Sequence, residues 1–309
     1  MRIAVLGTGG TGAYFGGLLA RAGEDVIFIA RGKHLEAIQE HGLTVKSRLV
    51  GDFTLPVSAT STTQTVGPVD LILFCVKAYD NATAIPLLPP LIGPNTLILS
   101  LQNGVENEDH IIQGIGQQPV LGAVSFVTSM VQAPGVIVQT GGPGKIVVGE
   151  LDGRISSRVE RLQAPFERAK IVVQLQHNIR SALWEKFLFI CGFSGVTALT
   201  RLPLGPILAT AETALFLQGV MKEVEAVARA CGSAVSDTAV EQSMRMLTNW
   251  EPQAYGSLYI DLAHKHRLEL EALNGAVVRL GSQHGVPTPL NFAISAALRP
   301  FLNGAPVFP

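Results

Sequence analysis

The sequence contains few charged residues and few cysteines, and each shortage excludes a class of protein. Only 15% of its 309 residues are charged, and 23 Lys and Arg stand against 24 Asp and Glu. This balance excludes the broad basic surface that nucleic acid or an anionic membrane requires. Cys75, Cys191 and Cys231 form no CxxC pair, which predicts reduced, buried thiols in a reducing cytoplasm. His264 and His266 lack a third ligand, so no metal site is predicted.

The sequence also lacks an uninterrupted apolar run long enough to span a membrane. Residues 3–6 could open a signal peptide, but glycines interrupt that run at once. The best candidate, 187–200, is about half as long as a membrane span and contains polar residues. Apolar residues nevertheless make up 47% of the chain, which is enough to bury a large core. We therefore expect a soluble, cytoplasmic protein.

The first half of the chain alternates short apolar runs with helical patterns. The runs with the character of buried strands are 3–6, 26–30, 71–76, 96–101 and 120–126. Alternation of strands and helices predicts a doubly wound, mostly parallel α/β domain. Farther along, 136–139 and 145–148 flank a Gly-Gly-Pro-Gly cluster, which predicts a hairpin at the edge of the sheet.

The second half of the chain has helical periodicity. The predicted helices are 182–198, 212–230, 238–247, 257–264, 269–284 and 290–298. No strand pattern of similar quality occurs here, so this domain is expected to be all-α. We divide the chain into domains at 1–170 and 171–309, although 171–175 also has the pattern of a further strand of the first domain.

A glycine-rich motif separates the first predicted strand from the first predicted helix. The GxGxxG pattern is formed by Gly7, Thr8, Gly9, Gly10, Thr11 and Gly12. Its glycines permit a tight turn and a close approach of backbone to a pyrophosphate, at which the helix directs its N–H groups. A purely structural turn is the alternative. Because strand, turn, helix and second strand occur in the required order, the segment predicts dinucleotide binding.

The residues that follow three predicted strands indicate the cofactor and its surroundings. NAD sites normally place an acidic residue after the second strand, whereas this chain has Arg31, with Lys33 close by. A guanidinium pairs with a 2′-phosphate, which favours NADP(H) over a merely solvated loop arginine. Lys77 and Asn103 follow two later strands. Ligands of open α/β sheets bind outside such strand ends, so both side chains are expected to face the cofactor.

Lys186 is the candidate catalytic residue of the second half. Residues 184–191 are apolar around most of a helix, which predicts a mostly buried lysine whose pKa is lowered toward the range of proton transfer. A lysine that reaches solvent from the first turn, or that pairs with a carboxylate, is the alternative. Glu269 and Glu271 are placed at the start of a helix, where acids complement the dipole. Ser257 starts another helix, where capping is its default role.

Together these segments resemble the 2-dehydropantoate 2-reductase (ketopantoate reductase) family along nearly the whole chain. The matching segments are GTGGTG, Arg31 after the second strand, CVKAYD, LQNGVEN, HNIRSALWEKF and GSLYIDLAHKHRLELEALNG. The resemblance implies an N-terminal Rossmann domain, an all-α C-terminal domain and NADPH-dependent reduction of a 2-oxo acid.

The resemblance also implies roles for individual residues. Lys186 corresponds to the family's catalytic lysine and Glu269 to the glutamate that hydrogen-bonds the reacting oxygen. Asn103 and Ser257 correspond to residues that position the substrate, and Lys77 to a lysine near cofactor and substrate. Asn103 and Glu269 are accordingly also expected beside the cofactor.

The chain departs from the family pattern in the expected substrate pocket. Pantoate-forming members have asparagines one and two turns after the catalytic lysine and another near the next loop, where this chain has Ile190, Ser194 and Leu204. Helical spacing places 186, 190 and 194 on one face. Ser194 is therefore expected to bind substrate in a pocket wall that is more apolar than usual.

These residues leave three functions open. A site with fewer hydrogen-bonding partners discriminates less among substrates, so the substrate is not fixed by the pattern. The three functions are reduction of 2-dehydropantoate to pantoate in pantothenate biosynthesis, NADPH-dependent reduction of a less hydroxylated 2-oxo acid or ketone, and NADP(H) binding without catalysis. The expected partner is a small-molecule substrate, with no nucleic acid and no membrane. Composition leaves the oligomeric state open, a homodimer included.

Overall fold

The computed structural model describes residues 1–306, which form two compact units. The sheet unit comprises Met1–Gln102 and Glu106–Ile179. The helical unit comprises Asn103–Val105 and residues 180–306. The 170/171 boundary that we drew from the sequence falls inside the sheet unit, because a strand at Val172–Leu175 pairs with its sheet.

The sheet unit is built on one ten-stranded sheet. Its strands are β1 (Arg2–Leu6), β2 (Asp25–Ile29), β3 (Leu43–Ser47), β4 (Phe53–Leu55), β5 (Ser58–Thr60), β6 (Val69–Phe74), β7 (Ile92–Ser100), β8 (Val120–Ala133), β9 (Val136–Gly149) and β10 (Val172–Leu175). They are ordered β4-β3-β9-β8-β7-β6-β1-β2-β5, with β10 also paired to β9. β1 pairs in parallel with β2 on one side and with β6 on the other.

Helices cover both faces of this sheet. They are α1 (Gly10–Arg21), α2 (Gly32–His41), α3 (Asn81–Ala84), α4 (Asn107–Ile115), α5 (Ser157–Glu160) and α6 (Gln163–Arg168), with 3₁₀ turns at Ala78–Asp80, Ile85–Leu87 and Pro89–Leu91. Ile3 and Val5 of β1 share an apolar cluster with α1 and α6, whereas Ala4 and Leu6 share another with α3 and α4. Burial on both faces explains why the central strands are continuous apolar runs. The predicted doubly wound, mostly parallel fold is confirmed.

The Gly-Gly-Pro-Gly cluster is not a hairpin turn at the edge of the sheet, and that prediction is wrong. β9 runs through the cluster without a break and pairs with β3, β8 and β10. Gly142 and Gly144 have φ of +78° and +63°, and the register between β8 and β9 shifts in this region. The glycines act as an irregularity between residues 136–139, which pair with β3, and residues 145–148, which pair with β10.

The helical unit has no strand among its described residues, and the predicted all-α domain is confirmed. Its helices are α7 (Ile179–Thr200), α8 (Leu204–Ala209), α9 (Ala211–Ala230), α10 (Ala239–Thr248), α11 (Ser257–Ala263), α12 (Asn274–His284) and α13 (Pro289–Leu298), with 3₁₀ turns at Leu270–Ala272 and Arg299–Phe301. The short α8 was not predicted. The helix predicted over 269–284 begins only at Asn274, because Leu273 has non-helical dihedrals (φ −110°, ψ −111°).

The longest helix, α7, is the core helix of this unit. Among the described residues it is the one helix long and apolar enough to cross a membrane, but 67% of that window is buried inside the structure. Asn274 donates to the Cys191 carbonyl at 3.2 Å and to Asn291 Oδ1 at 2.9 Å, and Asn291 donates to Glu223 at 2.8 Å. This buried polar chain links α7, α12, α13 and α9, and it fixes the helices against one another.

A partly buried ion pair lies directly after β9. Arg158 donates from Nε to Glu150 Oε1 at 2.7 Å and from Nη2 to Oε2 at 2.5 Å, and the Ser156 hydroxyl donates to the same carboxylate. The Arg158 guanidinium holds the pKa of Glu150 below its usual 4.5, although burial acts in the opposite direction.

Glu150→Gln is expected to lower the free energy of unfolding by about 2 kcal/mol near neutral pH, because charge-assisted bonds are lost. A group with a depressed pKa stabilises the fold above its unfolded-state pKa, and that stability is lost as pH falls through the folded-state pKa. The difference in the free energy of unfolding between wild type and variant should therefore disappear below about pH 4.5. Urea unfolding at a series of pH values measures this difference, with Glu160→Gln, at an exposed glutamate, as the control. A difference that does not depend on pH would contradict a stabilising role of the ionised Glu150 carboxylate.

Candidate functional site

The glycine motif forms the turn from β1 into α1, and three of its glycines are required by close backbone contacts. Gly7 has φ of +98°, and a Cβ there would lie 2.5 Å from the Val76 nitrogen. A Cβ on Gly10 would lie 2.2 Å from the Ser129 carbonyl oxygen, and one on Gly12 would lie 2.3 Å from the Gly7 oxygen. These distances exclude any side chain, so the turn itself demands these glycines.

Gly9 differs from the other three. Its φ is −79°, and no atom beyond its own local backbone lies within 4 Å of the position that a Cβ would take. Thr8 donates its hydroxyl to the Ile29 carbonyl at 2.9 Å, which ties the turn to β2. The first turn of α1 carries no acidic residue. Open space above a glycine at a helix N-terminus fits a pyrophosphate that approaches the backbone closely.

Arg31 and Lys77 lie on either side of this turn. Arg31 follows β2 and Lys77 follows the end of β6, and these are the two neighbours of β1. The strands that follow β1 in the sheet are β2 and β5 on one side and β6, β7 and β8 on the other. The turn at the end of β1 therefore lies where the strand order reverses, which is the usual ligand position in an open α/β sheet. Arg31 is exposed, and its Nη2 lies 2.9 Å from Asp80 Oδ2. Asp80 was not among the site residues predicted from the sequence.

A buried polar network supports the segments that carry the predicted lysine and asparagine after β6 and β7. Gln102 donates to the Val76 carbonyl at 2.8 Å and to Asn81 Oδ1 at 2.7 Å. Asn81 in turn donates to Asn107 at 3.0 Å, and the Ser100 hydroxyl donates to Gln102 Oε1 at 3.1 Å. This network was not predicted from the sequence, because isolated amides in loops carry no periodic signal.

In the helical unit, the structure distinguishes the two glutamates that precede α12. Glu269 is only 6% exposed and lies between the buried Leu268 and Leu270. Glu271 is exposed and forms an ion pair with Arg299, so a structural role accounts for it. Burial makes Glu269 the stronger candidate for chemistry.

Lys186 is half-buried and lies two turns after the start of α7. Lys186 therefore lies beyond the first turn of α7, and its role as a proton donor stays a prediction. Asn103 belongs to the same compact unit as Lys186, and the neighbouring Val105 packs on that unit's apolar core. Glu269, Ser257 and Ser194 complete the predicted residues of this unit, whereas the glycine turn, Arg31 and Lys77 belong to the sheet unit.

Ser257 does not cap its helix. Gly256 is the N-cap of α11, and Ser257 is the exposed first residue, with its hydroxyl 3.4 Å from that of the buried Ser194. The Gly256 N–H donates to Thr197 Oγ1 at 3.1 Å, and a Cβ on Gly256 would lie 2.3 Å from the Ser194 Cα. The turn before Ser257 is therefore packed tightly on α7, and the Ser257 hydroxyl lies beside that of Ser194.

Ile190 and Leu204, two of the three positions that depart from the family pattern, lie in or against the apolar core of the helical unit. Leu204 is 1% exposed and packs in the apolar core of its unit. Ile190, one turn after the lysine, is half-buried. Phe189, Phe193 and Trp250 form an aromatic cluster with ring centroids 5.6 to 6.4 Å apart. Phe189 and Phe193 lie three and seven residues after the lysine, so apolar groups border its side of the helix.

The described residues offer little for nucleophilic or metal chemistry. Burial raises the pKa of the Cys75 and Cys191 thiols, which disfavours reactive thiolates. Residues 1–306 contain no group of three or more His, Cys, Asp or Glu side chains that could hold a metal ion. The arrangement instead suits binding of a dinucleotide by the sheet unit and proton donation by a lysine of the helical unit.

Comparison with known proteins assigns both parts of the chain. A family model described as Ketopantoate reductase PanE/ApbA matches residues 3–153, and one described as Ketopantoate reductase PanE/ApbA C terminal matches residues 178–301. A 2-dehydropantoate 2-reductase from Mesorhizobium japonicum is 30% identical, over 97% of this chain and 97% of its own length.

Solved structures share the fold. The crystal structure of a PanE/ApbA family ketopantoate reductase from Ralstonia eutropha JMP134 is 36% identical with a TM-score of 0.89, over 97% of this chain and 98% of that one. A D-mandelate dehydrogenase in a ternary structure with NADH and anilino(oxo)acetate is 23% identical with a TM-score of 0.88, over 97% and 98% of the two chains. At that identity the second likeness concerns the fold alone.

Gly9→Ala is expected to weaken NADP⁺ binding roughly tenfold, equivalent to about 1.4 kcal/mol, because the new methyl group occupies the space left for a pyrophosphate. The melting temperature should stay unchanged, since no atom beyond the local backbone lies near that position. Gly12→Ala is the matched variant and should lower the melting temperature, because its methyl group meets backbone. Calorimetric titration and thermal unfolding measure both effects; wild-type affinity in Gly9→Ala would remove the turn from the binding site.

Proposed function

Because this chain belongs to the ketopantoate reductase family, we propose that it reduces 2-dehydropantoate to pantoate with NADPH, a step of pantothenate biosynthesis. Membership makes it an oxidoreductase that acts on CH–OH groups with a nicotinamide cofactor. The observation that carries the proposal is that a half-buried Lys186 and a buried Glu269 both belong to the unit that matches the family's C-terminal part. A protein that only binds NADP(H) has no use for such a proton donor.

Several residues of the sheet unit support binding of NADPH. The glycine turn leaves room for the pyrophosphate above Gly9, and Arg31 presents an exposed guanidinium after β2. A planar guanidinium suits the bidentate recognition of a 2′-phosphate. Lys77, after β6, would add a positive charge near the phosphates or the substrate.

In the proposed reaction, bound NADPH supplies a hydride to the carbonyl carbon of the 2-oxo acid. The Lys186 ammonium donates a hydrogen bond to the carbonyl oxygen, withdraws electron density from it and transfers a proton from Nζ as the alkoxide forms. The Glu269 carboxylate accepts a hydrogen bond from the resulting hydroxyl and so orients the reacting oxygen. The Asn103 amide and the Ser257 hydroxyl donate to the substrate carboxylate, with the Ser194 hydroxyl beside Ser257.

A second candidate function is reduction of a less hydroxylated 2-oxo acid or ketone. Ile190 and the Phe189–Phe193–Trp250 cluster favour it, because apolar groups border the lysine's side of α7. Such surroundings bind an alkyl or aryl side chain well, but they leave substrate hydroxyls without partners. A cytoplasmic location and a homodimer stay predictions, the latter testable by sedimentation.

A panel of 2-oxo acids distinguishes the two candidates. With 2-dehydropantoate, 3-methyl-2-oxobutanoate and phenylglyoxylate, each offered with NADPH and with NADH, we expect the highest kcat/KM for 2-dehydropantoate with NADPH. A higher kcat/KM for either unhydroxylated acid would favour the second candidate. Tight NADPH binding without oxidation by any ketone would overturn both.

Lys186→Ala is expected to lower kcat by about 100-fold or more, because the variant loses both the electrostatic stabilisation of the oxyanion and its proton donor. The KM for NADPH should change little. Lys222→Ala, at an exposed lysine of the same unit, serves as the control and should retain wild-type turnover. Steady-state NADPH oxidation measures both variants, and wild-type kcat in Lys186→Ala would refute the assigned role.

A further inference from the structure

We propose that Asp80 determines how strongly the protein discriminates NADPH from NADH, by competing with the cofactor's 2′-phosphate for Arg31. The inference rests on the proposed use of NADPH. Its starting point is the ion pair between Arg31 Nη2 and Asp80 Oδ2, at 2.9 Å. The arginine side chain is 84% exposed and the aspartate side chain 25%, so a nucleotide can reach the pair.

The pair connects the two segments that flank the glycine turn. Arg31 follows β2 directly, and Asp80 ends the 3₁₀ turn Ala78–Asp80 that follows β6. β2 and β6 are the two neighbours of β1, whose end carries the turn. A dinucleotide with its pyrophosphate on that turn places its adenosine ribose toward the end of the second strand, which is where the guanidinium of Arg31 lies.

The two cofactors meet this ion pair differently. The ion pair with Asp80 occupies Nη2 of Arg31, so a 2′-phosphate that binds the guanidinium in a bidentate arrangement either displaces this bond or accepts from the remaining N–H groups. In both cases the Asp80 carboxylate lies near a phosphate of the same sign, which weakens binding. NADH has only a 2′-hydroxyl, which leaves the pair intact and can itself donate to a carboxylate. Asp80 therefore lowers the affinity for NADPH while it preserves or raises the affinity for NADH.

The same contact could instead hold Arg31 in the orientation that binds phosphate. The sign of a neutral substitution distinguishes the two roles. Removal of a competitor tightens NADP⁺ binding, whereas removal of a support weakens it. Since exposed ion pairs contribute little, a competitor at this position should change the affinity about two- to fivefold.

The test is calorimetric titration of the full chain with NADP⁺ and with NAD⁺, for wild type and Asp80→Asn. We expect Asp80→Asn to bind NADP⁺ about two- to fivefold more tightly and NAD⁺ no more tightly than wild type does. The gain should shrink at high salt, because exposed charges are screened. Asp152→Asn is the matched control, since Asp152 also forms an exposed ion pair in this unit, with Arg154; it should leave both affinities unchanged.

Combination of Asp80→Asn with Arg31→Met tests whether the gain in NADP⁺ affinity depends on the arginine. Asp80→Asn should gain much less in the Arg31→Met background, where no guanidinium is left for the carboxylate and the phosphate to share. Weaker or unchanged NADP⁺ binding in Asp80→Asn, or an undiminished gain in the double variant, would overturn the inference. If Arg31→Met alone left NADP⁺ affinity unchanged, the proposed recognition of the 2′-phosphate would fail instead, so the two failures are distinguishable.

Discussion

The exclusion of side chains from the turn between β1 and α1 is the constraint on which the sheet unit depends. Gly7, Gly10 and Gly12 bring this turn into contact with backbone or side-chain atoms after β6, in β8 and in β1 itself. A Cβ at any of the three would push these elements apart. The same close packing leaves open space above Gly9, so the contacts that shape the fold also create the candidate binding surface.

The helical unit contains polar side chains within its apolar core, and these side chains are hydrogen-bonded to one another and to the backbone. The buried Asn274 and Asn291 satisfy most of their hydrogen-bonding capacity through Glu223 and backbone carbonyls. These bonds keep α7 in one position relative to its neighbours. Lys186 and Ser194 both belong to that helix, so the same bonds also fix the backbone positions of these two candidate residues. Thr197 of the same helix also accepts a hydrogen bond from the Gly256 N–H, which holds the turn before Ser257 against α7.

Elements with strong periodicity were predicted well and those without it were not. The strands at 3–6 and 26–30 and the helix at 212–230 agree with the structure to within one residue at each end. Short elements such as β4, β5 and α8 were missed, because three to six residues carry too little pattern. The glycine cluster inside β9 was misread as a turn, because glycines at positive φ mark bulges as well as turns.

The amino-acid sequence alone determined the two-part architecture, the glycine motif, the arginine after β2 and the candidate lysine, because each depends on local spacing or local residue type. Only the tertiary structure decided which glutamate is buried, that Ser257 faces Ser194 instead of capping its helix, and that Arg31 pairs with Asp80. The physical reason is distance along the chain. Arg31 and Asp80 are 49 residues apart in sequence, and Ser194 and Ser257 are 63 apart. No local pattern records which distant side chains the packing of strands and helices brings within hydrogen-bonding range.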